Sequence, residues 1–199
     1  MIAGVILAGG QGRRMGGADK ALMPLFGRPL IAHAIERITP QVNRLAISAN
    51  GDPARFQAFG LPVLPDPLPD FPGPLAGILA GLRWAAQAVP GARWLLSIPC
   101  DAPFLPHDLA KRLMQAAATE ETRMALAVSR GRTHPVIALW PLEIADDLER
   151  ALGQEGLRKA GAFVGHYSSA HVVFSDVDGQ DPFLNLNSQE DLKSASTSR

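Results

Sequence analysis

A single cysteine, Cys100, excludes an intrachain disulfide. Aromatic residues make up only 6% of the chain, with one tyrosine, and they do not interleave with basic residues as a base-stacking platform would. Neither sign of charge is in excess: 19 Lys and Arg balance 19 Asp and Glu, and the pI is near 7.0. Broad electrostatic binding to nucleic acid or an anionic membrane needs a basic surplus, so both partner classes are set aside, while a local basic pocket is not. His33, His107, His166 and His171 lack metal-ligand spacing. No apolar stretch approaches a membrane span, and the apolar start has no basic leading region and stops at Gly9-Gly10. A protein of the reducing cytoplasm is therefore expected. Repeats, low-complexity tracts and linkers are also missing, and 199 residues suit one domain with a real core.

What is present is alternation. Apolar runs at 2–8, 44–50, 61–66, 93–101, 124–129, 134–140 and 171–177 read as strands. Helices are expected over roughly 29–39, as a short piece at 53–60, over 75–88, near 107–117, near 142–152, over 155–163 and over 188–195. Four prolines in 67–74 make that stretch a loop. Ala76, Gly77, Ala80 and Gly81 make 75–88 a thin helix, able to lie close on a sheet or a ligand. The pattern predicts an α/β fold: three layers, with an open, mostly parallel sheet and helices on both faces. Ligands of such folds sit in the loops at the carboxyl ends of the strands.

The loop after the first strand is the strongest feature. Residues 9–17 hold five glycines, with Arg13, Arg14 and Lys20 adding positive charge. Glycines let backbone N–H groups close around an anion, so the loop reads as a polyphosphate cradle; the plainer reading is a surface loop. A dinucleotide fingerprint fails because Met15 stands where its third glycine belongs. A P-loop fails because Ala18-Asp19 precede Lys20 and Ala21 follows it. At the end of the 93–98 strand, Ser97-Ile98-Pro99-Cys100-Asp101-Ala102-Pro103 puts a carboxylate on the same edge. One aspartate is enough for Mg²⁺, which completes its shell with water and phosphate; the alternative is a turn-capping aspartate. Cys100 has no histidine near it in sequence and reads as a small buried hydrophobe, not a nucleophile.

The stretch from Leu7-Ala8-Gly9-Gly10 through Arg14-Met15-Gly16 to Asp19-Lys20-Ala21-Leu22, followed by Gly27-Arg28-Pro29-Leu30, resembles the molybdenum cofactor guanylyltransferases, the MobA family. Pro99-Cys100-Asp101-Ala102-Pro103, Gly73-Pro74-Leu75-Ala76-Gly77 and Phe183-Leu184-Asn185-Leu186-Asn187-Ser188 match further blocks in order. The resemblance runs from residue 2 to about 192 and implies a nucleotide-diphospho-sugar transferase-like fold. It implies that Leu7, Ala8 and Gly9 line guanine and ribose, and that Gly10, Gly12 and their neighbours wrap the phosphates. Lys20 and Arg14 would act on the phosphates with Asp101, which would hold Mg²⁺. Ser48 and Asn50, where the family often has Asn-Ala-Asn, and Asp66 would contact the nucleotide. Ser48 departs from that pattern, and Asp66 also reads as a turn aspartate before Pro67.

For the second substrate, molybdopterin, the resemblance points to Gly73, Gly77, Asn185 and Asn187. The plainer readings are a closely packed helix start for the glycines and a helix cap for Asn187 or Ser188. His134-Pro135 matches a family turn, and Arg130 and Arg132 beside it either meet the dithiolene or phosphate of molybdopterin or form a solvated hairpin tip. The implied reaction joins GMP from GTP to the phosphate of molybdopterin. Residues 1–199 would form one domain, its N-terminal half mainly for GTP and its C-terminal half mainly for molybdopterin and partners. A monomer meeting molybdoenzyme chaperones or apoenzymes transiently is implied. A CTP-using transferase and a non-catalytic cofactor carrier remain as alternatives.

Overall fold

Buried on both faces, a strand can be apolar throughout, and Ile2–Leu7 (β1) is such a strand at the centre of the sheet. The computed structural model describes residues 1–9, 19–68, 73–119, 122–186 and 191. Gly10, Gly12, Arg14 and Asn187 lie outside them, as does the helix expected over 188–195 apart from Asp191. The other elements are Pro24–Leu25 (β2), Arg28–Pro29 (β3), Leu30–Ile38 (α1), Arg44–Ser48 (β4), Val63–Leu64 (β5) and Pro74–Ala88 (α2). Then follow Trp94–Pro99 (β6), Leu109–Thr119 (α3), Met124–Ser129 (β7), Arg132–Pro141 (β8), Ala145–Gly153 (α4), Ala160–Val164 (α5) and Ser169–Val173 (β9).

Among the described residues, seven strands pair in the order β5-β4-β1-β6-β8-β7-β9, and of these only β8 runs against the others. The expected open, mostly parallel sheet is what forms. The chain leaves β1 toward β4 and β5 on one side and returns to β6 on the other. That reversal opens a crevice at the carboxyl end of β1. Successive strand residues point to opposite faces. Ile6 and Leu96 meet α1 and α3, while Val5 and Leu95 meet α2 and α4. The thin helix is used for packing on the sheet: a Cβ at Gly81 would come within 2.9 Å of both Val5 and Leu95.

Several elements differ from expectation. The strand over 61–66 shrinks to two residues, because Pro62 and Pro65 flank it and offer no N–H to a neighbour. The piece at Pro53–Phe59 is a 3-10 helix, capped by Asp52 and ended by Gly60 with φ 64°. The strand over 171–177 starts two residues earlier and stops at Val173, where Phe174 turns into the core. The helix over 155–163 is a five-residue turn at Ala160–Val164. The β2–β3 hairpin was not expected; Phe26 and Gly27, with φ 50° and 73°, make its tight turn.

Candidate active site at the carboxyl edge of the sheet

Parallel register brings the ends of β1, β4, β5 and β6 together. Past β1, Ala8 N–H donates to the Ser48 carbonyl at 2.8 Å, and Cys100 N–H donates to the Leu7 carbonyl at 3.1 Å. Ala49 N–H reaches the Leu64 carbonyl at 3.0 Å. Leu7, Ala8 and Gly9 therefore lie between the loops that carry Asn50, Asp66 and Asp101, with Gly9 exposed.

Lys20 opens a 3-10 turn, Lys20–Leu22, whose cap is Asp19: Oδ1 accepts the Ala21 N–H at 3.1 Å. Lys20 Nζ contacts Asp101 Oδ2, and both side chains are mostly buried. Asp101 Oδ1 is buried and has no hydrogen-bond partner among the described residues. A carboxylate with one oxygen on a cation and the other unpartnered fits a hard divalent ion that takes few protein ligands and fills its shell with water and phosphate. No group of three or more His, Cys, Asp or Glu gathers for a metal among the described residues. Cys100 is buried, and burial, then the neighbouring Asp101, pushes its thiol up to about 12, which keeps it an inert thiol.

On the base side, Asn50 and Asp66 hold each other. Asn50 Nδ2 donates to Asp66 Oδ2 at 2.6 Å, and Asp66 N–H donates to Asn50 Oδ1 at 2.9 Å. Burial pushes the Asp66 carboxyl above its ordinary range, and the Asn50 hydrogen bond acts against that shift. Ser48 lies beneath this edge, 2% exposed, with its side chain against α2. Gly77 is buried at the same contact: a Cβ there would come 2.5 Å from Ser48 Oγ and 2.9 Å from Leu7 Cδ2. Its lack of a side chain lets α2 lie on the sheet. Gly73, with φ 149°, is the half-buried residue before Pro74 at the start of α2.

Asn185 is exposed, and the next residue is tied to the site, with Leu186 N–H donating to the Asp101 carbonyl at 3.0 Å. The buried Leu186 packs with Leu25, Leu30, Met23 and Phe104, beside both the Lys20 turn and the Asp101 loop. This segment is fixed from the other end by a polar chain. Ser129 Oγ donates to Asp181 Oδ1 at 2.7 Å and lies 2.8 Å from His134 Nε2. A hydroxyl has one hydrogen and a carboxylate only accepts, so His134 carries its proton on Nε2 and donates to Ser129. Asp181 Oδ1 also accepts the Phe183 N–H at 2.9 Å. Burial, and to a lesser extent Arg132, lowers the His134 pKa, against the raising influence of Asp181. Arg130 at the hairpin tip is held by Asp176 and by the Gly179 carbonyl.

Sequence reasoning passed over Arg55, and it read Asp19 only as part of the family block before Lys20, without a role of its own. Arg55 Nη2 donates to the Asn50 carbonyl at 2.7 Å, and its Nε lies 3.1 Å from Asp19 Oδ2. The available signal was faint: an arginine on a short capped helix five residues after Asn50. Two cavities, of about 370 and 300 Å³, open beside α1 and share Arg37, Phe104 and His107; neither is lined by Lys20, Asp66 or Asp101. The candidate site is the open sheet edge instead, because paired charges and strand-end backbone converge there.

The model of the MobA-like NTP transferase domain family matches residues 4–170. The chain is 52% identical over 191 residues to the molybdenum cofactor guanylyltransferase of Rhodopseudomonas palustris (strain BisB5), covering 96% of this chain and 90% of that protein. Among solved structures it is similar to molybdopterin-guanine dinucleotide biosynthesis protein A from Archaeoglobus fulgidus, with a TM-score of 0.75 at 23% identity over 98% of this chain and 97% of that one. It is also similar in fold to a Mycobacterium tuberculosis protein solved in complex with manganese, with a TM-score of 0.70 at 16% identity over 100% of this chain and 99% of that one.

Proposed function

The chain belongs to the MobA-like NTP transferase family and is a nucleotidyltransferase, and we propose that it transfers GMP from GTP to the phosphate of molybdenum-molybdopterin, forming the guanine dinucleotide and releasing pyrophosphate. The observation that carries this reading is the Lys20–Asp101 pair at the crevice beside β1, with Asp101 Oδ1 lacking a hydrogen-bond partner among the described residues. A phosphate oxygen of molybdopterin attacks the α-phosphorus of GTP; the bond to the β-bridging oxygen breaks, and pyrophosphate leaves with the electron pair. A phosphate nucleophile is ionised at neutral pH, so the chain supplies no general base. Its work is positioning and charge neutralisation.

Without substrate, Lys20 and Asp101 neutralise each other. An arriving triphosphate offers Lys20 a second anion, and Asp101 is released to its own ligand. Asp101 would hold Mg²⁺, which when bound neutralises triphosphate charge. Asp66, braced by Asn50, accepts from guanine N1–H and N2–H₂, with Leu7, Ala8 and Gly9 beside base and ribose. Ser48 supports that edge from beneath. Gly10, Gly12 and Arg14 join the phosphate side in this reading. Molybdopterin is assigned to the start of α2 at Gly73 and to Asn185 and Asn187, while Gly77, one turn on, serves that end of α2 by packing it onto Ser48 and Leu7. The N-terminal half thus serves mainly GTP and the C-terminal half mainly molybdopterin and the chaperones or apoenzymes that receive it, in the cytoplasm. No helix among the described residues is long and apolar enough to cross a membrane.

The test is nucleotide preference: purified protein, Mg²⁺ and molybdopterin with GTP or CTP, followed by pyrophosphate release and dinucleotide product. GTP-dependent product is expected. CTP-dependent product would keep the mechanism and overturn the base assignment to Asp66. GTP binding without product would favour a carrier.

A further inference from the structure

The base-side pair and the lysine turn are separate pieces of chain, yet one guanidinium touches both. Arg55 Nη2 donates to the Asn50 carbonyl at 2.7 Å, and Asn50 is the residue whose side chain braces Asp66. Arg55 Nε lies 3.1 Å from Asp19 Oδ2; both atoms are buried, and they form an ion pair without an aligned hydrogen bond. Asp19 uses its other oxygen to cap the turn that begins at Lys20, and Lys20 contacts Asp101. The guanidinium carbon sits 4.8 Å over the ring centroid of Phe56, itself fully buried, which limits where the fork can point. A planar fork serves a carbonyl and a carboxylate at once in a fixed geometry, whereas an ammonium is a point charge on a flexible stem that does not hold its two partners at a set spacing.

We propose that Arg55 is a positioning residue that sets the register between Asn50–Asp66 and Lys20–Asp101, so that GTP held by its guanine presents its α-phosphate beside the lysine. The inference rests on the guanylyl-transfer reading. Arg55 makes or breaks no bond in the reaction.

The test uses the full chain with Arg55→Ala, Arg55→Lys and Asp19→Asn. The last keeps the Oδ1 acceptor that caps the lysine turn and turns only the Arg55-facing oxygen into a donor. Misplacing reacting groups lowers turnover more than ground-state binding, so Arg55→Ala is expected to lose roughly 10- to 100-fold in kcat with the KM for GTP moving less than about threefold. Asp19→Asn should reproduce much of that loss, and the double variant should fall no further than Arg55→Ala alone. Added methylguanidinium should restore part of the Arg55→Ala turnover and leave the unaltered protein unchanged, whereas Arg55→Lys should stay impaired. Unchanged kcat in Arg55→Ala, or full activity in Arg55→Lys, would overturn the proposal. So would a loss confined to GTP affinity.

A second readout does not need turnover: GTP should shield Lys20 from reductive methylation in the unaltered protein and shield it poorly in Arg55→Ala at saturating GTP. Equal shielding in both sinks the role of Arg55. If the unaltered protein makes no dinucleotide, the functional reading fails by itself, and the shielding comparison still decides the arginine. Should Arg55→Ala not fold, the same two readouts on Asp19→Asn decide it.

Discussion

The two sides of the sheet edge handle polar groups differently. On the side of β1, β4, β5 and β6, charges are paired but exchangeable. Lys20 rests on Asp101, Asp101 keeps one oxygen without a partner among the described residues, and Asp66 is braced by a neutral amide. On the side of the β7–β8 hairpin and residues 181–183, polar groups are tied to one another. Ser129 sits between His134 and Asp181, Asp181 also holds Phe183, and Arg130 is taken up by Asp176. An ion pair that can pass each charge to a ligand suits a triphosphate. A closed hydrogen-bond chain suits a brace, because opening it strands a buried donor. The difference teaches where to expect changes in rate and where to expect changes in stability.

The largest effect should fall on the exchangeable side. Asp101→Ala is expected to lower turnover by at least about 100-fold while leaving thermal unfolding nearly unchanged, since it removes charge control in the transition state. Normal turnover would remove Asp101 from the metal role. On the hairpin side the effect should appear in stability. Asp181→Ala leaves the Ser129 hydroxyl and the Phe183 N–H without their acceptor and should destabilise by about 1–3 kcal/mol in urea unfolding. Asp181→Asn, which keeps the acceptor, should lose less. If both variants unfold as the unaltered protein does, the brace has no energetic content. Gly77→Ala, beneath the β1–β4 side, should destabilise by about 1–3 kcal/mol through overpacking against Ser48 and Leu7.

A smaller effect concerns pH. The folded His134 pKa lies below the ordinary value near 6.5 because of burial, with Arg132 adding to the shift and Asp181 opposing it. Below that ordinary value the unfolded chain binds the proton and the folded chain resists it. The stability associated with neutral His134 is thus present above about pH 6.5 and lost as pH falls toward the folded pKa. His134→Gln should show a shallower loss of stability as pH falls below about 6.5; an identical slope would contradict the assignment. The smallest effect is expected at Cys100. With its thiol at about 12 and buried, it should resist a thiol reagent at pH 8 until the protein is unfolded, and Cys100→Ser should keep turnover within about twofold.

Much of this is legible in the sequence. Met124–Ser129 has the bounds that its apolar run predicts, and α2 begins one residue before the expected 75. Both are long enough, and uniform enough in pattern, for local preference to decide. The β2–β3 hairpin escaped notice because two-residue strands have no period to read. Asp101 was legible because a buried run ending at a carboxylate announces its own edge. Ser48 and Gly77 were harder: their residue types fit a ligand contact as well as the helix-on-sheet packing that the structure shows.

By itself the sequence determined the alternation of strand and helix, the family blocks, and a strand-end carboxylate with a lysine to face it. These follow from local periodicity and from residue chemistry, which a linear chain displays directly. Only the tertiary structure decided which groups are partners: Lys20 with Asp101, Arg55 with Asp19, and Ser129 between His134 and Asp181. Such pairs depend on strand order and on register, as in Leu7 against Ser48 and against Pro99. A one-residue slip in register turns every side chain to the opposite face, and no local signal within either segment records the choice.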